Sequence, residues 1–269
     1  MKDINVVKVG GAIVEDEAQL SLLLDEFCKI KGAKVLVHGG GRRATKVASA
    51  LGIESTMIGG RRVTDAHMLE VVTMVYGGLV NKHLVALLQA RGINAVGLTG
   101  ADMNIIRSHR RPLKAMDING ERQMVDFGFV GDVDSVDGAM LQKLLEQGIV
   151  PVIAPLTHDG QGNMLNTNAD TMAAETAKAL ARENNNNDVT LTYSFEKRGV
   201  LSNPDDDDSV ISEITHNSFE TLKADGTISG GMLPKIENAL DAVDAGVAKV
   251  VITLATNISN ASEGTIIKA

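Results

Sequence analysis

Tryptophan is absent from the sequence, and aromatic residues make up only 3% of it. A chain this poor in rings has no stacking platform for single-stranded nucleic acid. Positive charge is also short: 26 Lys and Arg stand against 34 Asp and Glu, a formal net charge of −8 at pH 7. That balance argues against nucleic acid or an anionic membrane as the main partner, while a local basic cluster can still hold a small anion. The single Cys28 cannot form an internal disulfide, which fits a reducing, cytoplasmic location. It sits in LSLLLDEFCKI, an apolar-periodic helical segment, where a packed thiol is expected rather than a nucleophile. No uninterrupted apolar run approaches the roughly 20 residues of a membrane span. The opening MKDINVVKV enters a strand pattern at once, so no signal peptide is expected.

What the 269 residues do contain is a regular alternation. INVVKVG, AKVLVHGGG, INAVGLTG, GIVPVIAPL, DVTLTY and AKVVITLA are β-branched runs and predict strands. DEAQLSLLLDEFCKI, DAHMLEVVTMVYGGLVNKHLVALLQARG, DGAMLQKLLEQG, ADTMAAETAKALARE and GMLPKIENALDAVDAG carry helical periodicity. Gly92, Gly148 and Gly246 follow the last apolar positions of their helices, as C-terminal glycines do. Strand-helix alternation over the whole length predicts an α/β protein with parallel strands and crossover helices on both faces. A domain boundary is expected near residues 170–180, where the second set of strands begins.

Two stretches break the alternation. Residues 105–133 contain INGER between alternating segments, which predicts an antiparallel flap over one end of the sheet. ENNNNDVT and SFEKRGVLSNPDDDDSV carry asparagine and aspartate runs, Asn184–Asn187 and Asp205–Asp208, and predict exposed loops. Four consecutive aspartates could also bind a divalent ion, although metal sites use spaced carboxylates on a fixed frame.

Glycine clusters follow the strands at Gly10-Gly11, Gly39-Gly40-Gly41 and Gly59-Gly60, and Gly230-Gly231 opens a helix. Such glycines let backbone N–H groups approach an anion, and a helix start adds its dipole. None fits the dinucleotide or Walker patterns. Polar residues accompany these loops: Lys8 in the first strand, Arg62 in IGGRRVTDA, Asn166, Asn168 and Asp170 in LNTNAD, and Lys235 in the helix that SGGMLPK opens. Two lysines near a transferring phosphoryl group would neutralise developing charge, and Arg62 could clamp a carboxylate. Each has a plainer alternative: Asp170 as an N-cap, Lys235 on a helix surface, Arg62 in a rim ion pair. For Lys8 the alternative is weak, because an unpaired buried ammonium is costly.

KVGG, VHGGG, GGRRVTD, VNK, LNTNAD and GGMLPKIENAL occur in the order and approximate spacing of the amino-acid kinase superfamily. The chain most resembles its N-acetylglutamate kinase family, since GGRRVTD with NTNAD separates that family from aspartate, carbamate and uridylate kinases. The resemblance implies an open three-layer α/β/α sandwich with a mainly parallel sheet. Residues 1–175 would form the acyl-amino-acid-binding and dimerising lobe, and 176–269 the ATP lobe. By the same resemblance Lys8 and Lys235 stabilise the transferring group and Asp170 orients them. Gly10, Gly11 and Gly231 bind phosphate, while Gly40, Gly41, Arg62 and Asn166 hold the acylglutamate. Mg²⁺ would arrive on ATP, in keeping with the lack of a protein metal-ligand motif. The γ-carboxylate is already ionised at neutral pH, so no general base is needed.

The sequence departs from the family in LTYSFEKRGVL, where Tyr193 replaces the usual aspartate, and in a C-terminal segment without the common histidine and leucine-rich stretch. Arg107, Arg110, Arg111 and Arg122 lie on the flap. They are expected to be solvated, the alternative being recognition of an N-succinyl group. Family members inhibited by arginine carry an extra N-terminal helix that links dimers into hexamers. Met1 lies close to the first strand, so a homodimer without arginine feedback is expected, held partly by the helix DAHMLEVVTMVYGGLVNKHLV.

Overall fold

A computed structural model describes residues 3–118, 120–183 and 188–269. β1 (Ile4–Val9) leads through α1 (Gly11–Glu15) and α2 (Glu17–Lys29) to β2 (Ala33–His38) and α3 (Gly41–Ala50). A hairpin of β3 (Met57–Ile58) and β4 (Arg61–Arg62) precedes α4 (Ala66–Val72), a π-helical segment (Thr73–Val80) and α5 (Asn81–Gln89). β5 (Ala95–Leu98) is followed by β6 (Ile106–Arg110), β7 (Lys114–Ile118), β8 (Glu121–Val125) and β9 (Gly131–Val136). Then come α6 (Gly138–Glu146), β10 (Val150–Ile153), β11 (Leu156–His158), β12 (Met164–Asn166), α7 (Ala169–Glu183) and β13 (Val189–Phe195). β14 (Glu213–Ile214), α8 (His216–Ala224), α9 (Met232–Asp244), β15 (Lys249–Leu254) and β16 (Thr265–Ile267) complete the chain.

The central sheet has eight strands in the order β14-β16-β15-β13-β1-β2-β10-β5. Every neighbouring pair in it is parallel except β15 and β16. Side chains alternate between two cores, as the pleat demands. Ile4 and Val6 of β1 join Val35 and Val37 of β2 against α6, α7 and α9. Val7 and Val9 join Leu36 against α2, α3 and α4. The result is the expected α/β/α sandwich, with both faces of the sheet covered.

The six strand runs named above become β1, β2, β5, β10, β13 and β15, all in this sheet. The expected flap is real: β6 and β9 pair antiparallel beside β11 and β12, and β7 and β8 form a separate hairpin. Asn119 of its turn lies outside the described residues, as does the Asn184–Asn187 run. The Asp205–Asp208 run is exposed, and Asp207 and Asp208 pair with Lys197 and Arg198 at 2.7 and 2.8 Å. Asp207 and Asp208 thus neutralise the neighbouring Lys197 and Arg198, and no three acids of the run converge to hold an ion among the described residues.

Gly92, Gly148 and Gly246 adopt φ of +76°, +71° and +101°, the left-handed conformation that ends a helix. Cys28 is half-buried rather than fully packed, and burial pushes its thiol pKa up, away from nucleophilic character. Among the described residues, one helical stretch, Ala66–Gln89, is long and apolar enough to cross a membrane by length and composition alone. Met68, Val72, Tyr76, Leu84 and Leu88 on it are buried within the fold, which makes it a core helix.

Candidate active site

The sheet changes its direction of winding at β1. From there one part of the chain adds β2, β10 and β5, and the other adds β13, β15, β16 and β14 on the opposite side. Crevices at the carboxyl ends of strands at such a switch point are where α/β proteins hold ligands. β1 and β13 end side by side, with Lys8 in register with Tyr193.

Lys8 continues the Ile4–Val6 face of β1, which looks towards α7. Its Nζ lies 2.7 Å from Oδ1 of Asp170, with 15% and 29% of the two side chains exposed. A partly buried ammonium is tolerable because the carboxylate compensates it. Asp170 is available for this task because it does not cap its helix. Asn168 does so: its Oδ1 accepts from the N–H groups of Asp170 and Thr171 at 2.8 and 3.1 Å. The Tyr193 hydroxyl donates to the Asp170 carbonyl oxygen at 3.3 Å. Burial, with Asp170 and Glu175 adding to it, holds the Tyr193 pKa well above the usual range, so the phenol stays a neutral donor.

Lys235 stands in the first turn of α9, half-buried, its Nζ 4.0 Å from the centre of the Phe195 ring. Burial lowers its pKa and Lys8 adds to the fall, while Asp170 opposes both. Of the two lysines, only Lys8 is ion-paired with Asp170; Lys235 feels that carboxylate at longer range. A cation held this way, stripped of part of its water and faced by a ring, is electrostatically hungry for an anion.

Lys8, Gly10, Gly11, Gly41, Asp170 and Lys235 line one cavity of about 380 Å³. The glycines are required by how closely two loops approach. A Cβ on Gly39 would lie 3.0 Å from the Gly11 nitrogen, and one on Gly11 would lie 3.3 Å from the Gly40 nitrogen. Gly231 is placed elsewhere: it is the exposed N-cap of α9, outside this lining. The cavity continues past Arg42, Phe195 and Glu196 into a wider hollow of about 710 Å³.

A second cavity, about 190 Å³, adjoins the first and shares Gly41 with it. Gly40, Arg62, Tyr76, Asn166 and Arg111 are on its walls. Arg62 is 8% exposed; its Nη2 donates to the Gly41 carbonyl and to Thr45 Oγ1, each at 2.9 Å, and its Nη1 donates to Ser55 Oγ. These are neutral partners, and no carboxylate pairs with Arg62 among the described residues. A buried guanidinium fixed by neutral oxygens is a receptor for an incoming carboxylate. Asn166, in the same wall, donates from Nδ2 to Thr64 Oγ1 at 2.9 Å. Tyr76 lies against Gly40 so closely that a Cβ there would sit 2.8 Å from its ring.

The flap arginines divide. Arg107 and Arg122 are exposed, and Arg110 pairs with Asp126 at 3.0 Å. Arg111 reaches the second cavity but is engaged by Asp132, which accepts from its Nε and Nη2. A third hollow, about 230 Å³, is apolar, with Val200, Leu201, Ile228 and Met232 on its walls, and shares Phe195 with the first cavity.

Sequence reasoning thus places Lys8, Gly10, Gly11, Asp170 and Lys235 in one cavity and Gly40, Arg62 and Asn166 in the next. It missed Tyr76 and Phe195, and it offered Asp170 as the N-cap where Asn168 does the capping. The one signal for Tyr76 was that it is one of two tyrosines.

The model of the amino acid kinase family matches residues 3–254. The chain belongs to the amino acid kinase family. Within that family, the acetylglutamate kinase of Bacteroides thetaiotaomicron is 63% identical over 265 residues, covering 98% of each chain. The acetylglutamate kinase of Phocaeicola vulgatus is 60% identical over 265 residues, again 98% of each. Among solved structures, smu.665 from Streptococcus mutans UA159 superposes with a TM-score of 0.75 at 29% identity, covering all of both chains.

His38, which ends β2 just before these glycines, has a measurable signature of its own. It is fully buried, and burial pushes its pKa down to about 4. An unfolded histidine titrates near 6.5, so between these values the unfolded chain binds a proton that the native state refuses. This group costs nothing above pH 6.5, and stability falls as pH drops from there to about 4, by about 3 kcal/mol in all. Urea unfolding at pH 7.5 and 4.5 is expected to show this loss, and His38→Asn to lack it.

Proposed function

We propose that this protein is an acetylglutamate kinase, transferring the γ-phosphoryl group of ATP to the γ-carboxylate of N-acetyl-L-glutamate in arginine biosynthesis. The observation that carries this reading is the junction at Gly41. There a cavity with two cations and glycine loops abuts one whose buried Arg62 pairs with no carboxylate among the described residues. Relatives of that name, matched over almost the whole chain, support it.

Arg62 and Asn166 receive the α-carboxylate and the polar groups of the acylglutamate, so that its γ-carboxylate points across Gly40 and Gly41. A γ-carboxylate oxygen bonds to the γ-phosphorus as the bond from that phosphorus to the ADP oxygen breaks, giving N-acetylglutamyl 5-phosphate and ADP. No proton moves, because the nucleophile is already ionised. Lys8 and Lys235 face the charge that spreads over the transferring oxygens, and Asp170 keeps Lys8 in place. Among the described residues no three His, Cys, Asp or Glu side chains converge to hold an ion. The cavity offers cations and N–H groups, which suit phosphate oxygens, so Mg²⁺ is assigned to the nucleotide, where it would neutralise phosphate charge.

The apolar hollow at Val200 and Met232 suits the adenine ring, with Lys235 in the first turn of α9 beside the phosphates and Gly231 reaching them only if the α9 start moves inward. Residues 1–175 would then serve the acylglutamate and 176–269 the nucleotide. In support, the Arg62 cavity draws only on residues 39–169 and the apolar hollow only on 195–232. A homodimer is proposed through the Ala66–Gln89 helical stretch, whose Met74 and Leu79 are 55% and 49% exposed. Light scattering is expected to give twice the 28.4 kDa chain mass, and a monomer would overturn this. A cytoplasmic location is proposed on the lone cysteine.

The decisive assay couples ADP release to the two acylglutamates. Turnover is expected with kcat/KM higher for N-acetyl- than for N-succinylglutamate. The engagement of Arg111 with Asp132 supports the smaller, uncharged acyl group. A strong succinyl preference would sink the acetyl assignment, and no ADP release with either would sink the kinase reading.

A further inference from the structure

Behind the Gly39–Gly41 turn lies a buried polar pair that the reaction scheme above leaves unused. The Nδ1 of His38 is 2.8 Å from the carbonyl oxygen of Gly39. A carbonyl only accepts, so Nδ1 carries the proton and Nε2 is left as an acceptor. Asn81 fills that acceptor with its Nδ2 at 3.2 Å and donates from the same nitrogen to the Val152 carbonyl at 2.8 Å. Asn81 Oδ1 in turn accepts from Lys82 Nζ at 3.1 Å. His38 and Asn81 are 0% and 1% exposed, and only one tautomer and one amide orientation satisfy every atom.

The fold goes to some length to deliver Asn81 there. It is the first residue after the π-helical segment, and such segments tend to occur at functional sites. Gly97, on β5, has no side chain where a Cβ would collide with Asn81 Oδ1. The pair also controls a direction. In a trans peptide unit the C=O and N–H point opposite ways, and no cis bond is present among the described residues. Turning the Gly39 carbonyl towards His38 therefore turns the Gly40 N–H the other way. That N–H has no acceptor among the described residues, and Gly40 lines the Arg62 cavity beside the shared Gly41.

We propose that His38 and Asn81 are positioning residues for phosphoryl transfer, locking the Gly39–Gly40 peptide so that the Gly40 N–H meets an anionic oxygen of the reacting group. This rests on the kinase reading. Neither residue touches substrate; each acts through the peptide.

Two substitutions at His38 separate positioning from mere support. Glutamine can still accept from Asn81 but leaves the Gly39 carbonyl without its donor. Asparagine places an amide nitrogen near the position of Nδ1, keeping that donor while losing Asn81. His38→Gln is expected to lower kcat about 10- to 100-fold with both KM values within about threefold, since one oriented donor is commonly worth that much or more. His38→Asn is expected to recover most of the loss, whatever its Tm. If kcat is unchanged in the glutamine variant, or follows Tm in both, the proposal is overturned. Absence of turnover in the unaltered protein would instead overturn the kinase reading.

Should His38→Gln not fold, Asn81→Asp supplies a second test. A carboxylate can only accept, so it draws the proton to Nε2, and the Gly39 carbonyl keeps its donor only while His38 is an imidazolium. The groups facing this position are the Val152 carbonyl, the Lys82 ammonium and the new carboxylate. Its kcat is expected to fall with rising pH on a limb that the unaltered protein lacks; a profile parallel to the parent's would overturn the proposal.

Discussion

Lys8→Ala is expected to lower kcat by about a thousandfold while leaving the affinity for N-acetylglutamate within a few-fold of the parent, because one preorganised charge at the reacting group is worth about that much. The asymmetry follows from the geometry. Lys8 lines the cavity with Lys235, whereas Arg62 and Asn166, the proposed holders of the acylglutamate, line the adjoining cavity. The substitution also strands Asp170, whose negative charge would then face the phosphates without its 2.7 Å partner. Repulsion from that carboxylate adds to the lost attraction, so Lys8→Ala should be worse than Lys8→Ala with Asp170→Asn. Stability should change little, since Asp170 keeps 29% of its side chain in solvent and can be hydrated. Steady-state kinetics with calorimetric binding of N-acetylglutamate checks both halves. Turnover equal to the parent's would refute the role given to Lys8.

Arg62→Ala is expected to raise KM for N-acetylglutamate about 100-fold, a loss of about 3 kcal/mol, with a much smaller effect on KM for ATP. The guanidinium is held at both ends of its fork, with Nη1 on Ser55 and Nη2 on the Gly41 carbonyl and Thr45. Its position is therefore set before any ligand arrives, and little ordering remains to be done on binding. Arg62→Lys should rescue poorly, because an ammonium is a point charge that cannot keep three anchors and still offer a planar edge. Equal rises in KM for ATP and N-acetylglutamate would show that Arg62 shapes the turn rather than recognising the carboxylate.

How much of this was legible in the sequence depended on whether the signal was local. β1, β2, β5, β10, β13 and β15 were visible because buried parallel strands are continuous apolar runs. β14 and β16 span only Glu213–Ile214 and Thr265–Ile267, too short to show any period. α8 was missed because HNSFETLKA buries only Phe219. The lysine-aspartate pairing could be inferred because a cation in a buried strand requires a partner. Its capping arrangement could not, since Asn168 and Asp170 are both good N-caps and only the helix start decides between them. The anchors of Arg62 come from residues 7, 17 and 21 positions earlier, and nothing in the sequence marks Ser55, Thr45 or the Gly41 carbonyl as its neighbours. The π-helical segment was also hidden, because its residues satisfy ordinary helical periodicity until Asn81 is seen to reach His38.

The pairing of β1 with β13 carries a mechanical consequence. Five consecutive residues, Ile4 to Lys8, are laced to Val189 to Tyr193 where the half that would hold the phosphoryl acceptor meets the half that would hold the nucleotide. A hinge between those halves would have to unlace that ladder at the spot where Lys8 is anchored. Any approach of the two substrates must therefore be accommodated as twist in a continuous sheet or by movement of the hairpins at its rim. Lys8, the last paired residue of that ladder, would lie close to the axis of such a twist, where displacement is smallest.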